Sequence, residues 1–323
     1  MRELIKWIFA ALMLCSIHQA SAQSSELEVE CSWGKIGATL AQAEGGSDTV
    51  VVIIAGSGST DRDGNSLAAG LRSSSYALLS QELVSEGFAV LRYDKRGIGQ
   101  SVIPMEDVPN LVFEDYVDDV EQIVRVLRDR GFERVILAGH SEGGLIALVV
   151  SDRQRVVVDG VVLLAAAGYP LDSILLTQLG AQLIPANISM MYRAEAIIKR
   201  LKRGESVAEG EIPKELLSLF HPVVQPFIIS QMQYNPAELI ARVEIPLLIV
   251  SGGHDIQVSL ANGEALVAAQ PRAEHRVFES MTHVLKDADT TDRMEQLYSV
   301  YSTSNHPLTE GLTAAIAEFI NKH

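Results

Sequence analysis

Residues 134–150 read Arg-Val-Ile-Leu-Ala-Gly-His-Ser-Glu-Gly-Gly-Leu-Ile-Ala-Leu-Val-Val. Arg134–Ala138 has the apolar, β-branched character of a buried strand, and Gly144–Val150 continues as an apolar helix. Between them Gly139-His140-Ser141-Glu142-Gly143 forms a G-x-S-x-G turn. Strand, tight turn and helix in that order is the setting that exposes a serine at a helix start. The positions two before and two after Ser141 must be nearly free of side chain, and glycine meets that need at both.

Working outward, the chain alternates strands and helices. Thr49–Ile54, Phe88–Tyr93, Val158–Ala165, Pro246–Ser251 and His275–Glu279 read as further buried strands. Glu26–Cys31 and Lys35–Ala43 read as an N-terminal hairpin turning near Ser32-Trp33-Gly34. Tyr76–Glu86, Glu114–Arg130 and Thr313–Ile320 carry helical spacing. The pattern predicts the α/β class, with a mostly parallel central sheet covered by helices on both faces. Between Ala167 and Pro246 only helical patterns occur, punctuated by prolines. That stretch, about residues 169–240, is expected to be a helical lid over the carboxyl edge of the sheet, where ligands of such sheets bind. Its residues Ile174, Leu175, Leu179, Leu183, Ile184, Met190, Met191 and Tyr192 are candidates for an apolar pocket.

The 323 residues carry 41 acidic and 26 basic side chains, a net charge of −15 that argues against a nucleic-acid partner. Met1–Ala22 reads as a secretory signal peptide: Arg2 and Lys6, then the apolar run Trp7–Ile17, then Ala20-Ser21-Ala22. The run is shorter than the ~20 residues that span a bilayer. The chain is therefore expected to be exported, periplasmic or secreted, with no stable membrane anchor after cleavage. Loss of Cys15 with the leader leaves Cys31 alone, expected as a small hydrophobe in the first strand.

A serine hydroxyl becomes a nucleophile only when a base takes its proton and an acid orients the base. With the serine on such an elbow the chain order is Ser, acid, His. Asp255 follows the strand Leu248–Ser251, and His283 lies in the loop after the last strand. These fill the roles of orienting acid and base for Ser141. His140, His254, His275, His221, His306 and His323 are less well placed. The oxyanion of an attacked carbonyl needs waiting N–H donors. Glu142, directly after the nucleophile, supplies one. The loop Ala55-Gly56-Ser57-Gly58-Ser59 supplies the other, with Ser57 preferred and Gly58 the neighbouring alternative. Asp61, Arg62 and Asp63 either shape the pocket or pair with Asp94, Lys95 or Arg96 to pin two loops; pairing is the simpler reading. Asp115, Asp118 and Asp119 are expected to complement a helix dipole.

These residues together resemble the α/β-hydrolase superfamily, and within it an exported bacterial esterase branch related to serine aminopeptidase-like and dienelactone-hydrolase-like proteins. The resemblance runs from about Lys35 to the C-terminus. It is carried by Ala55–Asn65, by Tyr93-Asp-Lys-Arg-Gly-Ile-Gly-Gln-Ser101, by the elbow, by Gly253–Val258 and by Met281–Lys286. It implies an α/β-hydrolase fold and hydrolysis of a small-molecule carboxylic ester, without metal or organic cofactor. The expected chemistry is a two-step acyl-enzyme cycle on Ser141, His283 and Asp255. A peptidase or amidase on the same triad is the near alternative, with Glu195 and Glu205 as candidate holders of a substrate ammonium. A non-catalytic binding module on the same scaffold is the distant one.

Overall fold

The computed structural model describes Gln23–His323. The expected leader and Cys15 lie outside the described residues.

Eight strands form one sheet: β1 Gln23–Cys31, β2 Gly34–Gln42, β3 Thr49–Ile54, β4 Ala89–Tyr93, β5 Arg134–His140, β6 Gly160–Leu164, β7 Leu247–Gly252 and β8 Glu274–Phe278. Their order is β1-β2-β4-β3-β5-β6-β7-β8. β2 is antiparallel to both β1 and β4, and every other neighbour is parallel. This is an α/β-hydrolase sheet. Alternation within the central strands feeds two cores. Val50, Val52 and Ile54 enter one, while Val51 and Ile53 enter the other. Both faces are buried, which is why these strands read as continuous apolar runs rather than alternating ones.

Helices α1 Ser75–Ser85 and α8 Leu312–Lys322 cover one face. The helices α2 Phe113–Asp129, α3 Glu142–Arg153 and α7 Leu260–Ala269 cover the other. Between β6 and β7 lie α4 Leu171–Leu183, α5 Ile188–Lys202, α6 Gln225–Gln231 and several short turns. These pack a core of their own around Ile197, Ile198, Leu201, Phe220 and Met232. Lys214–Leu216 is a tight turn followed by the single helical turn Leu217–Phe220, short because Pro213 and Pro222 bound it.

One expectation changes at the β1–β2 edge. Asp119 does not sit on a solvated dipole face. It is buried, accepts from Trp33 Nε1 at 2.8 Å and from Arg96 Nη2 at 2.6 Å, and ties the first hairpin turn to the loop after β4. Of the three aspartates, Asp115 acts at the helix start, where its carboxylate accepts the Val112 N–H. Cys31 does lie in β1, half-buried, with its thiol pushed up to about 11 by burial.

Candidate active site

The elbow forms as the glycine pattern requires. A Cβ on Gly139 would lie 2.2 Å from the Gly143 carbonyl oxygen, and one on Gly143 would lie 2.2 Å from the Ile54 carbonyl oxygen. Only glycine permits β3, β5 and α3 to approach so closely. Ser141 sits between them at φ 53° and ψ −117°. A residue with a side chain rarely takes that conformation, and such strain collects at functional sites.

The ends of the parallel strands β3, β5, β7 and β8 meet here, at the carboxyl edge beside the point where the strand order reverses. β5 delivers Ser141, β7 delivers Asp255 and β8 delivers His283. Asp255 is held by three donors. Its Oδ1 accepts the backbone N–H groups of Gln257 and Val258, both at 2.8 Å, and its Oδ2 accepts His283 Nδ1 at 2.8 Å. With Nδ1 committed as donor, Nε2 of a neutral His283 is left as the acceptor. Ser141 and His283 line the same cavity of about 160 Å³. Among the described residues no hydrogen bond joins Ser141 Oγ to the imidazole.

His140, set aside as a base in the sequence, turns away from Ser141 and into a buried relay. The Gly56 N–H donates to Tyr76 Oη at 3.1 Å. Tyr76 lies 2.7 Å from His140 Nδ1, and His140 Nε2 lies 2.7 Å from the His283 carbonyl oxygen. One proton arrangement satisfies the whole chain: Tyr76 donates to Nδ1, and Nε2–H donates to the carbonyl. Burial, reinforced by nearby His283, pushes His140 down to about 3, so it stays neutral. The relay joins the loop after β3, the elbow and the His283 loop.

Ser57 lies on the rim shared by both cavities beside Ser141. Among the described residues, neither the Ser57 N–H nor the Glu142 N–H has a protein acceptor. Gly58, the alternative donor, lines only the larger cavity. Arg62 does pin two loops: it binds Asp94 through Nε at 3.1 Å and Nη2 at 2.8 Å, and Asp63 pairs with Arg92. Lys95 is fully buried, with its ammonium on the Gly56 carbonyl oxygen and 3.4 Å from Glu142 Oε1. Burial lowers its proton affinity, and Glu142 opposes that.

A second cavity, of about 510 Å³, opens from Ser141 under the lid. Ile103, Leu111, Leu145, Leu171, Phe227 and Ile228 give it an apolar wall. Of the lid residues expected to form a pocket, only Ile174 and Leu175 line it. Leu179, Leu183, Met190 and Met191 pack inside the lid, and Ile184 and Tyr192 face solvent. A helix pattern marks which residues are apolar but not which neighbour covers them. Glu195 and Glu205 are on the lid exterior, paired with Lys199 and Arg203, and touch neither cavity. Tyr76, Tyr301 and Gln257 line the small cavity and were missed in the sequence. Tyr301 comes from a stretch after β8 with no periodic signal. Among the described residues no cluster of three His, Cys, Asp or Glu side chains is arranged to hold a metal, and no helix is long and apolar enough to cross a membrane.

A family model described as serine aminopeptidase, S33, matches residues 69–287, more than half of the chain. The esterase EstD of Thermotoga maritima is 28% identical over 207 residues, covering 63% of this chain and 47% of that protein. The superfamily protein YisY of Bacillus subtilis, named as an AB hydrolase, is 36% identical over 98 residues, 28% of this chain and 34% of its own. The matches thus span less than half the length of these curated relatives. Among solved structures, an esterase of Pyrococcus furiosus superposes with a TM-score of 0.55 at 18% identity, covering 94% of this chain and 91% of that one. A proline iminopeptidase of Mycobacterium smegmatis gives 0.59 at 14% identity, covering 93% and 98%. At such identities the likeness is one of fold.

Proposed function

The chain belongs to the serine aminopeptidase, S33, family of α/β-hydrolases, and we propose that within that family it is a serine esterase. One observation carries the reading. A strained, cavity-facing Ser141 shares its cavity with His283, whose Nδ1 is committed to a triply bonded Asp255. Ser141 Oγ attacks the ester carbonyl carbon while His283 Nε2 takes its proton. The N–H groups of Ser57 and Glu142 hold the resulting oxyanion. Collapse breaks the bond to the alcohol, which leaves with the proton from His283. Water then attacks the acyl-enzyme, gives a proton to His283, and the acid departs as Ser141 recovers its own.

The two cavities divide the substrate. His283 lines only the small one, so the leaving alcohol that it protonates belongs there, among Thr60, Ser66, Ser75 and Tyr301. The acyl group then extends into the larger apolar cavity. An apolar acyl chain on a small alcohol is the ester that fits. The outward, ion-paired Glu195 and Glu205 support an ester over an aminoacyl amide.

The test is labelling with a fluorophosphonate probe, run beside parallel assays of nitrophenyl esters and aminoacyl anilides. Labelling at Ser141, lost in Ser141→Ala, with ester turnover exceeding anilide turnover is expected. Labelling that survives Ser141→Ala would remove the assignment. Faster anilide turnover would move the enzyme to the peptidases, and a protein inert to both would be a binding module. The leader pattern extends the proposal to export, tested by whether the N-terminus found outside the cytoplasm begins at Gln23.

A further inference from the structure

A carbonyl attacked by Ser141 gains little unless the Ser57 N–H already points at the oxygen. That N–H belongs to the peptide joining Gly56 and Ser57. The peptide is planar and trans, so its C=O and N–H point in opposite directions. Whatever fixes the Gly56 carbonyl therefore fixes the Ser57 N–H. The group that does so is Lys95, which reaches back from the loop after β4 and donates to that carbonyl. The preceding peptide is fixed as well, through the Gly56 N–H on Tyr76 Oη at 3.1 Å. The same ammonium lies 3.4 Å from Glu142 Oε1 and 5.3 Å from the centroid of the Tyr116 ring. Glu142 is the residue whose own N–H is the second donor.

We infer that Lys95 is the positioning residue of the oxyanion hole: it locks the Gly56–Ser57 peptide through its carbonyl and ties it, through Glu142, to the start of α3. The inference rests on the esterase reading above. It accounts for a costly feature. A buried lysine is retained against desolvation, and its partners are the two segments that supply the oxyanion donors. Without Lys95 the peptide is free to rotate, and rotation would turn the Gly56 carbonyl toward the developing negative charge. Ground-state binding in the two cavities does not depend on that orientation. The loss should therefore fall on kcat and leave KM nearly unchanged.

The experiment uses the full chain with Lys95→Met, and Lys95→Met combined with Glu142→Gln. The double variant avoids leaving a buried carboxylate unpaired. Three readings are taken: kcat and KM on a nitrophenyl ester, affinity for an arylboronic acid that forms a tetrahedral adduct on Ser141, and thermal midpoint. In both variants kcat is expected to fall, by up to the ~10²–10³-fold that one lost oxyanion donor costs. Boronate affinity should fall in parallel and KM should stay within about twofold. Wild-type kcat in the variants would overturn the inference, as would a loss of kcat that leaves boronate affinity intact. Failure of both variants to fold would also overturn it, by making the ion pair a requirement of folding. Failure of the esterase reading itself is distinguishable in the unmodified chain: a peptidase would bind boronate but turn over anilide faster than ester, and a binding module would do none of these.

Discussion

At Ser141 a non-glycine residue is held at φ 53°, a conformation that costs of order 1–3 kcal/mol and persists only where its surroundings impose it. The imposing groups are the neighbouring glycines. Gly139→Ala would set a methyl 2.2 Å from the Gly143 carbonyl oxygen. It is expected to destabilise the chain by ~3 kcal/mol or more and to abolish turnover, read by thermal melting and ester assay. Asp255→Asn should preserve the fold and depress kcat by about 10⁴-fold, since the amide favours the wrong imidazole tautomer. A mild effect would mean that another acid serves. His140 gives a pH signature. Its folded-state value is about 3 against an ordinary 6.5, so the unfolded chain binds more protons between those pH values. Stability from this group is present above pH 6.5 and is lost as pH falls toward 3, at most about 1.4 kcal/mol for each pH unit. Denaturant melts of wild type and His140→Gln should converge as pH falls through that window. A constant difference would show that the imidazole is not held neutral.

At the scale of elements, the lid has its own core, separate from those of the sheet. Phe220 is wholly buried within it. Phe220→Ala should cost about 3–5 kcal/mol locally. Hydrogen exchange should accelerate across residues 171–240 while β3, β5 and β6 stay protected. Acceleration spread evenly over the sheet would mean that lid and sheet unfold as one unit. The sheet strands were legible in the sequence because burial on both faces leaves continuous β-branched runs. The lid helices were legible as helices, but their facing was not. Leu179 and Ile174 are equally apolar, yet one packs within the lid and the other lines the cavity. Single-turn helices such as Leu217–Phe220 were blurred because proline punctuation, not periodicity, sets their ends.

For the whole molecule, two cavities of unequal size meeting at Ser141 predict how selectivity divides. Lengthening the acyl chain should be tolerated far better than branching the alcohol. Ile174→Trp, which narrows the larger cavity, should lower kcat/KM for long acyl esters and spare acetyl esters. An equal loss across the series would put the acyl group elsewhere. The chain's net charge of −15 does not mark the proposed site, which is built from backbone amides, one hydroxyl and an imidazole–carboxylate pair.

The sequence by itself determined the sheet, the elbow and the order of Ser141, Asp255 and His283, because strand burial, glycine spacing and chain order are all local or linear properties. The tertiary structure alone decided which distant side chains meet around and beyond that site. Tyr76 reaches His140 across 64 positions, and Lys95 reaches the Gly56 carbonyl across 39. Asp119 likewise changed from a helix-end charge to a buried tie between Trp33 and Arg96. These contacts join loops with no periodic signal. Their partners are fixed by how the strand ends are brought together, so no local pattern announces them.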